Sequence, residues 1–381
     1  MQIQNLLERV CEKTIAEQYS IPEFTRPGDF FEWVPELGMR ATQAYLEQSV
    51  AYKYVDMQYA SFDWHQGVGF FSLMYAEQYL KTDRYSRFVR RWVDPHLESG
   101  LIQETVNTTA PFLCVLELYK QTGEQKYYDA CEARARFCMA RAARADEGAF
   151  EHTVVGVPDT FRSQIWADTL FMAALFLARW GAYTGNEMYL HEAVRQLKLH
   201  YKYLRDEKNG LLYHAYNCRL RSHMSAVHWG RANGWGIIAG LLIYEQLPTE
   251  LAERSQIRRT IVEHLHAMAK VQEKNGGFHT VLDKEDTYLE TTATAAFFFG
   301  VYRSIKLGWL GEEWRERAQS AGGFLHEHIA QDGTVEQASG GTPVMYSTQE
   351  YNAIPCVMSY YGQGIAALAL CEEFVGIKDL S

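Results

Sequence analysis

Four glycine turns recur along this chain at nearly even intervals, and they restrict its architecture more than any other feature. Glu147-Gly148, Asn209-Gly210, Asn275-Gly276 and Asp332-Gly333 each lead into a short extended stretch, and their glycines stand 62, 66 and 57 residues apart. Such spacing marks a repeated supersecondary unit that buries its apolar face only against its neighbours. A second mark punctuates the other end of the unit: Thr82-Asp83-Arg84-Tyr85, Thr122-Gly123-Glu124-Gln125-Lys126-Tyr127 and Thr184-Gly185-Asn186-Glu187-Met188-Tyr189. Each follows an apolar run and precedes an amphipathic one, as when one helix ends in a left-handed cap and polar residues open the next.

Six nearly all-apolar segments fit between these marks: Gly67–Leu80, Pro111–Tyr119, Ile165–Trp180, Gly234–Tyr244, Ala293–Ile305 and Gly362–Leu370. Apolar on every face, they belong inside. Amphipathic partners are expected near Gly38–Tyr54, Tyr85–Glu98, Glu124–Arg141, Glu187–Arg205, Glu250–Val271 and Glu312–Ile329. Six inner and six outer helices describe an all-α (α/α)6 toroid, a six-hairpin barrel forming a single domain over residues 1–381.

Two polar interruptions sit at the openings of apolar helices: Ile165-Trp166-Ala167-Asp168-Thr169-Leu170 and Trp229-Gly230-Arg231-Ala232-Asn233-Gly234-Trp235. A carboxylate and a guanidinium among tryptophans are costly to bury, so both are expected to face a cleft. In a toroid the inner-helix N-termini gather at one rim, which would collect Trp64, His65, Asn107, Thr108, Trp166, Asp168, Trp229, Arg231, Asn233, Trp235, Glu290 and Tyr361. The stretches after the glycine turns would bring His152, His214 and His279 to the same end. Tryptophan faces suit sugar rings, an arginine fork suits a carboxylate, and a half-desolvated aspartate suits proton transfer. Trp166, Leu170 and Phe171 are expected to raise the pKa of Asp168, against the pull of the helix N-terminus. These features point to an enzyme acting on an acidic sugar.

The bland alternatives are specific. Asp168 could be a helix-opening residue bonded to backbone, Arg231 could pair with an acidic neighbour, and His214 could be a half-buried strand tip. No two histidines have helical ligand spacing beside a carboxylate, and Glu263 and His264 read as an outer, solvated face, so neither a metal nor another cofactor is expected. The net charge of −10 argues against nucleic-acid or anionic-membrane partners. Seven scattered cysteines without a CxxC pair, a charged N-terminal segment and no long apolar run lead to a cytoplasmic expectation.

The chain also resembles the unsaturated rhamnogalacturonyl and glucuronyl hydrolases of glycoside hydrolase family 105, with family 88 as a more distant relative. The pieces that carry this are Trp64-His65-Gln66-Gly67-Val68, Trp166-Ala167-Asp168-Thr169-Leu170-Phe171-Met172, Gly210-Leu211-Leu212-Tyr213-His214-Ala215 and the Trp229 to Trp235 motif. The resemblance implies an (α/α)6 barrel that removes a 4,5-unsaturated uronic acid from a lyase-generated acidic oligosaccharide. It implies Asp168 as general acid/base, with His214, Arg231 and the tryptophans on substrate. One departure stands out: where many members carry an Asp-Asp pair, this chain has Asn107 and Thr108, which leaves a single-carboxylate mechanism. A sugar epimerase using His214 and His279, and a non-catalytic carbohydrate binder, are the competing readings.

Overall fold

The computed structural model describes residues 2–17, 59–156 and 161–378. Its inner helices are α2 (Trp64–Leu80), α4 (Phe112–Thr122), α6 (Leu175–Thr184, entered through a π-helical turn at Leu170–Ala174), α8 (Gly230–Tyr244), α10 (Thr291–Lys306) and α13 (Tyr360–Lys378). Each packs on the next, and α13 packs back on α2 to close the ring. That last contact is close because small residues permit it: a Cβ on Gly69 would lie 2.6 Å from the Tyr360 carbonyl oxygen. The apolar character read along these segments is the character of a wall buried on all sides.

The outer layer consists of α1 (Gln2–Ala16), α3 (Arg84–Ser99), α5 (Gln125–Ala140), α7 (Glu187–Leu204), α9 (Arg254–Ala269) and α11 (Arg315–Glu327). Five of these match the expected amphipathic partners. The sixth, at Gly38–Tyr54, lies outside the described residues, and α1 fills the groove between α13 and α2. Leu7, Val10, Cys11 and Thr14 of α1 turn inward at helical spacing. The Gln363 side chain donates to the Val10 and Gly333 carbonyls, tying α1 to α13. Gly333, at φ +89°, brings its turn so near α1 that a Cβ would meet the Arg9 carbonyl at 2.2 Å.

The four glycine turns all adopt positive φ, and the chain beyond them runs back across the inner-helix N-termini. Two rim stretches pair there as a short antiparallel ladder, β1 (Gln164–Trp166) with β2 (Ala215–Asn217). A short helix, α12 (Thr348–Asn352), opens with a Ser347/Glu350 capping box and completes the rim before α13. No helix among the described residues is long and apolar enough to cross a membrane.

His264 departs from expectation. It points inward from α9, accepting or donating at Nδ1 with the Tyr201 hydroxyl (2.9 Å) and at Nε2 with Asn233 Oδ1 (2.9 Å). Burial holds its pKa down to about 3. Its neighbour Glu263 does face outward, where it pairs with Arg205 at 2.8 Å.

Candidate active site

The ladder sets the central juxtaposition of the rim. Trp166 pairs with Ala215 and the Ala167 amide donates to the His214 carbonyl, so the next residue, Asp168, meets the His214 ring. Asp168 Oδ2 lies 3.3 Å from His214 Nε2, and neither atom has a well-aligned hydrogen bond. Both side chains are buried. The Asp168 carbonyl accepts from the Phe171 and Met172 amides as the wide π turn begins, a geometry common at functional positions.

The electrostatics differ from expectation. Burial pushes the Asp168 carboxyl up, but the adjacent His214 ring, with His152 and Arg231, pulls it below its ordinary value. Burial lowers the His214 pKa more strongly than Asp168 raises it. A neutral imidazole offering Nε2–H to an ionised carboxylate satisfies both directions. His152, also buried and lowered to about 4, stacks on Trp166 at 4.2 Å with planes 3° apart and meets the Thr169 hydroxyl at 3.0 Å.

Around this pair the expected aromatic residues form a continuous contact chain. Trp166 meets His214 edge-on (5.1 Å between ring centroids), and His214 meets Trp229 (4.3 Å). Arg231 lies over Trp229 and Tyr361 (4.4 and 4.7 Å), Tyr361 stacks on Trp64 (4.8 Å), and Trp64 meets Trp235 edge-on (6.4 Å). His65 packs on Trp64 and Tyr361. The indole nitrogens of Trp229 and Trp235, and Asn107 Oδ1, are buried without hydrogen-bond partners among the described residues. Groups of this kind are available to a polar ligand.

Three residues expected on substrate turn elsewhere. Arg231 directs Nη1 to the carbonyl and hydroxyl of Ser339 and Nη2 to the Gly340 carbonyl (2.7 Å) and Thr342 hydroxyl (3.1 Å). Its fork therefore binds the 339–342 loop, with the Glu290 carboxylate 3.8 Å away. Asn233 clamps Leu212 through both its amide and carbonyl, because its side chain reproduces a backbone edge in register with that residue. Thr108 faces away from the rim, its hydroxyl donating to the Gln103 carbonyl (2.6 Å) and accepting from Arg134 (3.2 Å). His279 is engaged with the Thr287 carbonyl and, at 3.4 Å, Glu273. Tyr351 of α12, absent from the sequence reading, reaches His214 Nδ1 at 2.7 Å.

Comparison with known proteins identifies the family. The family model of Glycosyl Hydrolase Family 88 matches residues 39–374. The chain belongs to the family 88 and family 105 glycosyl hydrolases. Among its relatives, the unsaturated rhamnogalacturonyl hydrolase YesR of Bacillus subtilis is 32% identical over 316 residues, covering 82% of this chain and 89% of that protein. The unsaturated 3S-rhamnoglycuronyl hydrolase of Alteromonas is 24% identical over 220 residues, covering 56% of this chain and 52% of that protein. A possible family 105 member from Salmonella enterica serovar Paratyphi A superposes with a TM-score of 0.84 at 26% identity, covering 98% of this chain and 95% of that one. Family membership thus accounts for the toroid and for a hydrolase activity.

Proposed function

We propose that this hydrolase hydrates the C4=C5 enol ether of a 4,5-unsaturated uronic acid at the non-reducing end of a short oligosaccharide, releasing the adjoining sugar. The carrying observation is the buried Asp168–His214 pair within an aromatic bowl. The relatives named above are, by name, hydrolases of unsaturated rhamnogalacturonyl and rhamnoglycuronyl compounds, which supports the same bond.

The chemistry needs one group that gives a proton and later takes one. Asp168 is ionised in the free protein. An arriving uronate excludes water and adds a negative charge beside it, and both effects favour protonation of Asp168 from solvent. The acid then protonates C4 as the C4=C5 electrons form the new C–H bond, leaving an oxocarbenium ion across C5 and the ring oxygen. Water adds at C5 and returns a proton to Asp168. The resulting hemiketal opens, and the former anomeric carbon expels the neighbouring sugar. Ordinary two-carboxylate separations do not apply to this route.

Trp64, Trp166, Trp229 and Trp235 would line the sugar, with the partnerless indole N–H groups and Asn107 Oδ1 meeting its oxygens, and His65 supporting Trp64. Arg231, Asn233 and Thr108 hold the surrounding loops, and the Arg231 charge acts on the anion through its field. An epimerase pairing His214 with His279 is disfavoured, since His279 is engaged elsewhere. We place the enzyme in the cytoplasm, a reading supported by seven free cysteines. The test is incubation with lyase-digested pectin, ulvan or glycosaminoglycan. Loss of the ultraviolet band of the conjugated enol ether supports hydration, whereas an unchanged band on every digest refutes it.

A further inference from the structure

The Asp168–His214 pair continues into a third group. The Tyr351 hydroxyl, fully buried, lies 2.7 Å from His214 Nδ1 although 137 residues separate the two in sequence. A phenol oxygen has one hydrogen to donate and two lone pairs to accept with. Across the ring, His214 Nε2 faces the Asp168 carboxylate, which can only accept. With the imidazole hydrogen on that side, the phenol hydrogen is directed at His214 Nδ1. A neutral imidazole that accepts at Nδ1 carries its hydrogen on Nε2. Nε2 is the atom that faces Asp168.

We propose that Tyr351 is a positioning residue that fixes the tautomer of His214, presents Nε2–H to Asp168 and so controls the protonation of Asp168 during turnover. The inference rests on Asp168 being the proton donor of the reaction proposed above. The opposite tautomer would turn a lone pair toward the carboxylate and require the phenol to accept from Nδ1. The 218–227 loop borders His214, and in it Arg221, Met224 and Ala226 all hold positive φ, a conformation that non-glycine residues keep only when their surroundings impose it. The 227 end of that loop is fastened to the site by the His214 amide donating to the Val227 carbonyl.

Among the described residues, the remaining titratable or charged groups facing the three are His152, Arg231 and Glu350. Burial keeps His152 neutral down to about pH 4. Arg231 is a guanidinium held by the 339–342 loop, and Glu350 is engaged by the Tyr346 and Ser347 amides in its capping box. None of them supplies a donor to His214 Nδ1. Control of the imidazole hydrogen therefore falls to Tyr351.

Tyr351→Phe keeps the ring that packs on His214 and Trp229 and removes only the hydroxyl. Nitrogen-15 correlation spectra of the ring in the free wild-type protein are expected to show His214 as the Nε2–H tautomer. The Phe variant should show a mixture. With its donor no longer enforced, Asp168 becomes easier to protonate and a weaker acid. The low-pH plateau of kcat should fall about tenfold, the size of one lost hydrogen bond. The fall of kcat/KM with rising pH should move to higher pH, while KM stays within about twofold. An unchanged tautomer in Tyr351→Phe, or an unmoved pH profile, overturns the proposal. A wild-type protein inert on unsaturated uronides would instead overturn the reaction, and the tautomer spectra of the free protein would still decide the role of Tyr351.

Discussion

Replacing Arg231 separates a role in holding the rim from a role in holding substrate. All four terminal N–H groups of its guanidinium reach acceptors in the 339–342 loop, and Glu290, with no exposed surface, stands behind them. Lysine keeps the charge but offers one nitrogen in place of a fork, so it serves about half of those acceptors. Two charge-assisted bonds lost at about 1.5 kcal/mol each give roughly 3 kcal/mol of destabilisation for Arg231→Lys. Arg231→Met also leaves Glu290 as an uncompensated buried carboxylate, a defect of about 3–5 kcal/mol on its own. A chain of 381 residues unfolds with an entropy of about 0.8 kcal/mol per kelvin, so the Lys variant should melt about 4 °C early and the Met variant further below it. Calorimetric melts read this directly, and KM for an unsaturated disaccharide should change less than about threefold in Arg231→Lys, the scale of a minor binding contact. A Lys variant that melts with the wild type while its KM rises more than about tenfold would show that the fork serves the uronate after all.

Asp168→Asn should retain the fold and the wild-type melting temperature but lose at least about a hundredfold in turnover, the scale of general acid–base catalysis; near-normal turnover removes Asp168 from the mechanism. Thr108→Asp places a carboxylate against Arg134 and away from Asp168, so the pH profile of turnover should stay as in wild type, and a shifted acid limb would show that residue 108 faces the site. Burial holds His152 and His200 down to about 4 and His264 to about 3, whereas the unfolded chain titrates near 6.5. The unfolded state thus binds more protons below about pH 6.5, and stability, complete above that point, should fall as pH drops toward 4 by up to about 1.4 kcal/mol per unit for each histidine. Thermal melts from about pH 7 to about pH 4.5 measure this, and a flat series contradicts it.

The inner wall was legible in the sequence because a helix buried on every face needs no partner to be recognised. Gly67–Leu80 and Ala293–Ile305 are apolar at nearly every position, and the structure places both inside. Asp168 and His214 could be assigned to one rim because helix openings and glycine turns carry signatures of their own. What failed was direction. Arg231 bonds to backbone carbonyls about a hundred residues away, and a carbonyl leaves no trace in a residue string. His264 sits beside an exposed glutamate on an amphipathic helix, and only the polar edge of Asn233 across the interface gives it a reason to point inward. Tyr351 lies in the five-residue helix α12, too short for periodicity to single out one tyrosine from the others nearby. The helix at Gln2–Ala16 was not among the expected outer helices, although its stripe of Leu7, Val10, Cys11 and Thr14 is the ordinary mark of a docked helix.

The seam between α1, α2 and α13 has a consequence for how the protein comes into being. Neighbouring hairpins contact one another locally and can consolidate as each leaves the ribosome, one upon the next. The seam is different: the bond from Gln363 to Val10 spans 353 residues, and the first inner helix keeps one flank open until the last has been made. Through most of synthesis the nascent chain is an open arc with two raw apolar edges. Loop-closure entropy grows only slowly with length, so sealing is thermodynamically cheap once α13 exists, yet nothing can hasten it before then. Those edges are where a chaperone would bind and where two unfinished arcs would join each other, which makes α13 the element that decides between a ring and an aggregate.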